Sequence, residues 1–577
     1  MEPSPTPSES QYPFIKREPI VTREKFIEYQ MLSSIGRLPE PRARDPEELP
    51  ALRRLAAELK DRIAQCGQDT MEELVASARL LAIRQELLWR TFPFNDLPVE
   101  IIVHIFRLAA FSLANAPGAF LLRFRLTWVC RHWREIAISD PTLWCTIWFK
   151  DAKIGYQRSA LFLQRAGTRT IDLRIEDDEK VRLVSDQPMT ADDMERVLDI
   201  IMTKSNQIRM VIVVVEPWAA VLALLDRLHK HSRSLQQLER IELHRTGRPY
   251  GWDGPDFPFN HYQHALTLCN GRTERINYIC LNGIHIDWDN TYLANLVHLD
   301  LRRIPANLGP TLERFRTILE SCPNLRKLSL DGAGPIPPSG PVLLLSYPPI
   351  SLPRLESMLF GNFAVRYAAY LIGHIQAPNL REISLMHIAG DDHTLLLSAM
   401  TGKFPELLIA TLYGMEFPKN RVSNRVMVQW LLSVPKLKFM RVASMEAHML
   451  ACFYVDGRFH VKNEIPLFPT KEQAETIRAN GSHLILCPEL EAVEAQCISV
   501  ESMAHFVHIR KTLGVPLRRL YVDRYWLEKM TPEEKAALQK ERYGADFLIV
   551  TMTSRSMTQD EVIIWRQVRE GRMDLRA

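Results

Sequence analysis

One phrase, written six times, constrains this chain more than any other feature of its sequence. CPNLRKLSLDGA at Cys322, LPRLESMLFGNF at Leu352, APNLREISLMHI at Ala377, FPELLIATLYGM at Phe404, VPKLKFMRVASM at Val434 and CPELEAVEAQCI at Cys487 share the plan x-P-x-L followed by alternating apolar residues. The shared leucines, Leu325, Leu355, Leu380, Leu407, Leu437 and Leu490, step by 30, 25, 27, 30 and 53 residues. The last step covers two periods and spans an insertion, Tyr454 to Thr470. Proline before each strand ends the preceding helix. One short strand and one helix per period predict an α/β solenoid, in which a unit is unstable alone and shares its core with its neighbours.

Strand and helix already alternate upstream. YQRSALFLQRAGTRTIDLRI reads as helix, turn and strand, and Ala191 to Thr203 as a helix. Ile208 to Val215 is a continuous apolar strand of the kind covered on both faces, Trp218 to His229 a helix, and LERIELHRT a strand. LVHLDLRRI at Leu296 and VPLRRLYVDRYW at Val515 read as outlying copies of the phrase. A charged helix from Pro532 to Arg542 and an apolar strand from Phe547 to Met552 follow, the strand as a cap, before a polar tail. A mixed α/β domain with coincidental spacing fits the same pattern. The copies resemble leucine-rich repeats in period and layout, without their regular Asn or Cys ladder.

The front of the chain is different. Residues 1–46 are rich in Pro, Ser and charge and are expected to be disordered. Over 47–92, Leu52, Leu55, Leu59, Ile63 and Cys66 step by three and four, Gly67 interrupts, and Leu74, Ala78, Leu81 and Leu88 resume the stripe. A short coiled coil for self-association and an amphipathic hairpin packed on its own domain both suit this period.

Residues 93–150 carry the most specific signal. Asn95 or Asp96 can cap a helix with Pro98 in or near its first turn, and Ile101, Ile102, Ile105, Phe106 and Leu108 give it an apolar face. A loop with Ala116, Pro117 and Gly118 is expected next. Leu126, Val129, Cys130, Trp133, Ile136 and Ala137 then predict a second helix, ended by Asp140 and Pro141, with an aromatic exit through Trp144 and Trp148. The two indoles are expected to pack this motif against the first repeats.

LPVEIIVHIF, then VCRHWREIA, then DPTLW resembles the F-box in the form found in fungal F-box-like proteins, with an insertion of roughly Phe111 to Phe124 between the helices. The resemblance implies that Leu97, Pro98, Ile101, Ile102, Ile105, Phe106, Val129, Cys130, Trp133 and Leu143 form a surface that docks on the Skp-type adaptor of an SCF ubiquitin ligase and, through it, on the cullin. It also implies a protein substrate held by residues 151–526, with a C-terminal cap and tail over 527–577. Polar and aromatic residues at strand ends, Asp300, Arg302, Asp331, Asn362, His387, Tyr413, Arg441 and Asp523, are the candidates for that binding because they are expected to face solvent along one concave sheet. A scaffold that uses the same fold without ubiquitin ligation, pairing through residues 47–90, is the alternative.

Composition narrows the classes. A net charge of +4 over 577 residues predicts neither nucleic acid nor membrane surface as partner. Nine cysteines without a CxxC pair point to a reducing compartment, cytosol or nucleus. No apolar leader opens the sequence, and the longest apolar run, Met210 to Leu225, is cut by Glu216 and Pro217. No phosphate loop, zinc motif or nucleophile elbow is present. His229 with His231, His261 with His264, and the GDDH turn at Gly390 to His393 read as turn and helix-end residues rather than metal ligands. The expectation is a non-catalytic chain without cofactor or metal.

Overall fold

The computed structural model describes residues 48–65, 97–111, 116–150, 156–177, 188–246, 259–337, 348–443, 486–496, 500–523 and 548–552, with isolated positions between them. The tail 1–46, the insertion 454–470 and most of the segments 66–92 and 532–542 lie outside the described residues. The chain divides into two compact units, residues 1–143 and 144–577.

The first unit contains helices α1 (Glu48–Gln65), α2 (Val99–Phe111), α3 (Ala116–Val129) and α4 (Arg131–Ser139). On α1, Leu59 is buried while Leu55 is exposed, and Leu81 of the second expected segment is exposed too. Two of the sequence expectations need correction here. The expected loop through Ala116, Pro117 and Gly118 is the first turn of α3, where a proline sacrifices no helical hydrogen bond. The single helix expected over 126–137 is broken at Cys130, whose backbone is extended (φ −157°, ψ 173°) and whose Sγ accepts the Trp133 N–H at 3.4 Å as the N-cap of α4. The Arg134 Nε–H donates to the Thr127 carbonyl at 2.8 Å and joins α4 to α3 across that break.

The second unit opens with β1 (Thr146–Phe149), α5 (Gln157–Arg165), β2 (Ile171–Glu176), α6 (Ala191–Met202), β3 (Ile208–Val215), α7 (Trp218–Lys230), β4 (Arg240–Arg245), α8 (Phe259–Gln263), β5 (Tyr278–Asn282), β6 (His298–Arg302), α9 (Leu312–Glu320) and β7 (Lys327–Asp331). It continues with β8 (Ile350–Ser351), β9 (Ser357–Gly361), α10 (Val365–His374), β10 (Ile375–Gln376), β11 (Glu382–Met386), α11 (Thr394–Met400), β12 (Ile409–Tyr413), α12 (Arg421–Leu432), β13 (Phe439–Ala443), β14 (Ala492–Gln496), α13 (Val500–Thr512), β15 (Arg519–Asp523) and β16 (Leu548–Met552). Among the described residues, 14 strands form one parallel sheet whose order follows the chain, and β8 pairs with β10 apart from it. Helix and strand alternate in an α/β solenoid-like arrangement.

The repeated phrase has a definite geometry. In each copy the leucine N–H returns to the carbonyl three residues back, as Leu325 does to Cys322 (3.0 Å), Leu355 to Leu352 (3.1 Å), Leu380 to Ala377 (3.1 Å), Leu407 to Phe404 (3.2 Å), Leu437 to Val434 (3.3 Å) and Leu490 to Cys487 (3.1 Å). The proline therefore occupies the second position of a β-turn, where its fixed φ is favoured, and the leucine drops into the core two residues before its strand. All six leucines are buried. Leu238 returns to Leu235 at 3.3 Å before β4, and Ile276 to Thr273 at 3.0 Å before β5, so the same turn is made without proline upstream.

Register holds from strand to strand: Tyr278, His298, Lys327, Ser357, Glu382, Ile409, Phe439, Ala492 and Arg519 stand side by side. The second and fourth residues of these strands, such as Leu328 and Leu330 or Ile383 and Leu385, fill the core. The first, third and fifth lie on the opposite face. Just past six of the strands the chain turns through a left-handed residue: Gly283, Arg303, Gly332, Asn362, His387 and Gly414, with φ between 51° and 70°.

Candidate partner-docking sites

The first site is built on α2. Ile102, Phe106 and Ala110 recur every four residues and face the helical core. Beside them, Ile101 and Leu108 form a second apolar stripe, with half-buried Ile105 between them; Ile101 is 47% and Leu108 57% exposed. An amphipathic helix needs only one such stripe, so the second has no role in folding the helix and is available to a partner. Pro98 is exposed at the entrance, and its carbonyl accepts the N–H groups of Ile101 (2.9 Å) and Ile102 (3.2 Å). Asn95 and Asp96 lie outside the described residues.

The ten residues of the expected adaptor surface divide by exposure. Pro98, Ile101 and Val129 are exposed, and Leu97, Ile105, Cys130 and Trp133 are half-buried. Ile102, Phe106 and Leu143 are not surface residues, as expected from the sequence, but fully buried ones that hold the unit together. The Trp133 ring sits 4.9 Å from both Phe94 and Phe106, so its indole is largely committed to packing. Val99, Phe111, Leu121, Ile138 and Trp128 are further exposed apolar residues outside the expected surface, Trp128 at 68%. Leu121 and Trp128, seven apart on α3, share one outer face that the helical period alone would have marked.

The second site is the sheet face opposite the core. Asp300 is not solvent-facing as expected but buried, where it accepts both Arg302 hydrogen bonds, at 2.8 and 2.7 Å. Burial alone would raise its carboxyl; the two hydrogen bonds and the charge of Arg302, with the His298 ring 3.8 Å away, more than offset that and hold it well below the carboxylate range. The Asn362 amide donates to the Asp331 carboxylate at 2.6 Å. Asn362 and His387 sit at left-handed turn positions and are exposed. Tyr413 and Arg441 converge on one buried carboxylate, Glu494, at 3.1 Å from the phenol and 2.7 Å from Nε, and the Gln496 amide joins at 2.8 Å. Glu494 and Gln496 had no mark in the sequence beyond their place in the sixth phrase.

His261, His285 and His393 find backbone partners, and His229 a side-chain hydroxyl. His261 and His285 are buried with rings 4.5 Å apart, and each Nε2 lies 3.1 Å from the other residue's carbonyl oxygen. His261 therefore pairs with His285 and not with His264. His229 Nδ1 meets the Thr267 hydroxyl at 3.1 Å. In the GDDH turn the Asp392 carboxylate accepts the Thr394 N–H at 2.8 Å at the start of α11, and His393 is buried between the Ile388 and Glu416 carbonyls, each 2.9 Å away. Among the described residues no group of three or more His, Cys, Asp or Glu is placed to hold a metal ion. Burial drives the thiols of Cys269, Cys280 and Cys487 up to about 12, opposite to what a nucleophile requires. No helix among the described residues is long and apolar enough to cross a membrane.

The F-box-like family model matches residues 94–150. The end of that match includes β1, the first strand of the parallel sheet. No curated protein matches the chain. Among solved structures the chain is similar to a protein from Bacteroides fragilis, at 12% identity and a TM-score of 0.25 over 66% of this chain and 77% of that one. It is similar to yeast Rad7 in its complex with Elc1, at 11% identity and 0.33 over 75% and 95% of the chains. It is also similar to the leucine-rich repeat-containing protein LegL7 from Legionella pneumophila, at 11% and 0.28 over 57% and 89%.

Proposed function

We propose that this chain is a substrate-recognition subunit of an SCF-type ubiquitin ligase in the cytosol or nucleus, docking a Skp-type adaptor through residues 94–150 and a substrate protein through the repeat unit. The observation that carries the reading is the second apolar stripe of α2, Ile101, Ile105 and Leu108, presented within the F-box-like region and unused by the core. Covering what remains exposed of each of these side chains, about half of Ile101 and Leu108 and less of Ile105, contributes on the order of 1 kcal/mol apiece. Ile102, Phe106 and Leu143 support the stripe from beneath, and Pro98 fixes where the helix starts. Cys269, Cys280, Cys322 and Cys487 are buried thiols without a disulfide, which fits a reducing compartment.

Ubiquitin transfer in this scheme belongs to other subunits. The chain contributes proximity, holding a substrate near the transfer enzyme and raising its local concentration. Mixing the purified chain with a Skp-type adaptor and cullin and separating by size tests the assembly. The reading expects one complex that contains all three; a chain that elutes alone at concentrations where a known F-box protein is fully bound contradicts it.

A further inference from the structure

The sheet face opposite the core carries four arginine–carboxylate pairs in its N-terminal half, three within one strand and one between neighbouring strands. Arg174 pairs with Glu176 on β2, Arg209 on β3 reaches Asp172 on β2, Arg240 pairs with Glu242 on β4, and Arg302 with Asp300 on β6. In each the carboxylate is sunk against the sheet and the guanidinium lies outside it. The four arginine side chains keep 37–50% of their exposure and the four carboxylates only 5–15%. A guanidinium has five N–H donors; Arg209 and Arg302 each spend two on a bidentate carboxylate, Arg174 spends one, and Arg240 directs two at a single oxygen of Glu242. Each partly exposed arginine thus keeps donors that its carboxylate does not use, on a side chain the carboxylate already positions.

The fixing is tight. The Arg240 guanidinium lies 3.9 Å from the centre of the Tyr278 ring, which stacks at 3.9 Å and 16° on His298 one strand further. Lys327, next in the same register, is exposed. The C-terminal half of this face is the opposite. There Ile409, Phe439, Ala492 and Tyr521 form one buried cluster, and the corresponding pair, Arg441 with Glu494, keeps 16% and 1% exposure.

We propose that β2 to β7 form the docking surface for the substrate, and that the segment bound there is an extended, acidic stretch of polypeptide whose carboxylates take the remaining N–H donors of Arg174, Arg209, Arg240 and Arg302. The inference rests on the substrate-binding part of the function proposed above and names the class of substrate. Asp300 and Glu242 do not touch the partner; they position the arginines and offset their charge, so the surface selects by hydrogen-bond geometry as well as by sign. Arg441, Tyr413 and Glu494 lie outside the surface.

Fluorescence anisotropy with the full-length chain and a labelled Glu-rich dodecapeptide tests this, with a Lys-rich and a Gly-Ser peptide and a single-stranded RNA of equal length as comparisons. Binding of the Glu-rich peptide alone is expected, weakening as salt screens it. The double variant Arg240→Gln, Arg302→Gln is expected to lose about tenfold or more in affinity, as charged groups facing a complementary partner do. Because Arg302→Gln leaves Asp300 without its bidentate partner, Lys327→Glu at the exposed edge serves as the variant that keeps the fold, with an expected loss of roughly threefold or more. Lys436→Glu, on an outer turn, is expected to bind as the wild type does. Equal binding of all three peptides, binding of the RNA alone, or wild-type affinity in Lys327→Glu together with the double variant overturns the proposal. The adaptor is absent from this assay, so failure here leaves docking through α2 standing.

Discussion

Arg107 on α2 holds Asp140, the residue that ends α4, through two parallel hydrogen bonds of 2.9 and 2.7 Å across 33 residues of sequence. The pair ties α2, which carries Ile101 and Leu108, to the end of α4 through a buried carboxylate. Burial alone would raise the Asp140 carboxyl; hydrogen bonds from Arg107 and Thr142 more than offset it and bring the group below its ordinary value.

Replacing Arg107 with Met is therefore expected to cost the helical unit about 1–3 kcal/mol, since a buried carboxylate loses its charged partner. A depressed carboxylate pKa contributes stability that is present above the ordinary value of 3.8 and is lost as pH falls through the folded value. Urea unfolding followed by Trp fluorescence should show a stability loss on acidification below that pH which Arg107→Met removes.

The buried histidine pair has the opposite chemistry and the same direction with pH. Burial, and for His285 the neighbouring His261, lowers both rings, His285 to about 4 from 6.5. The neutral rings each donate one N–H to a carbonyl, and protonation places two charges in an apolar setting beside Trp218. Stability is fully present above 6.5, where the unfolded rings are also neutral, and declines as pH falls from there towards 4. Hydrogen exchange around α8 should lose protection between pH 7 and pH 5 by at most about 2 kcal/mol per ring.

The turn leucines should behave as core and their exposed turn neighbours as surface. Leu407→Ala is expected to cost about 2–5 kcal/mol. Glu406→Ala, which removes the exposed partner of Lys436 at 2.7 Å, should cost no more than about 1 kcal/mol. Thermal unfolding of the two variants side by side checks the contrast.

His387, φ 52°, should tolerate glycine and reject valine. His387→Val is expected to lose about 1–2 kcal/mol, because a β-branched side chain resists the left-handed region, while His387→Gly stays close to wild type. Equal losses in both would mean that the imidazole, not the backbone, matters at this position.

The repeats were legible where proline marks the turn. Pro-x-Leu copies from Cys322 to Leu490 place a turn, a buried leucine and a strand together, and all of these occur. Before β4 and β5 the same turn is made by Leu235 to Leu238 and Thr273 to Ile276; without proline, nothing in the local sequence separates it from other polar connections. The break at Cys130 was hidden because the apolar period from Leu126 to Ala137 continues across it and because a thiol is a weak cap that no helix-start pattern includes. Pro117 and Gly118 misled in the other direction, reading as a loop where proline is at home in a helix's first turn. In α2 the composition showed that Ile101, Ile102, Ile105 and Phe106 are all apolar. It could not show which two lie inside, since neighbouring positions on a helix differ by only a third of a turn.

The most direct measurement is the affinity of the purified chain for a Skp-type adaptor by calorimetry, wild type against Ile101→Asp and Leu108→Asp, with circular dichroism confirming the fold of each. The account predicts that wild type binds and that each substitution, a charge on the exposed stripe of α2, lowers affinity by about tenfold or more, the equivalent of roughly 1.4 kcal/mol. A folded wild-type chain that does not bind, or variants that bind as well as it does, would contradict it.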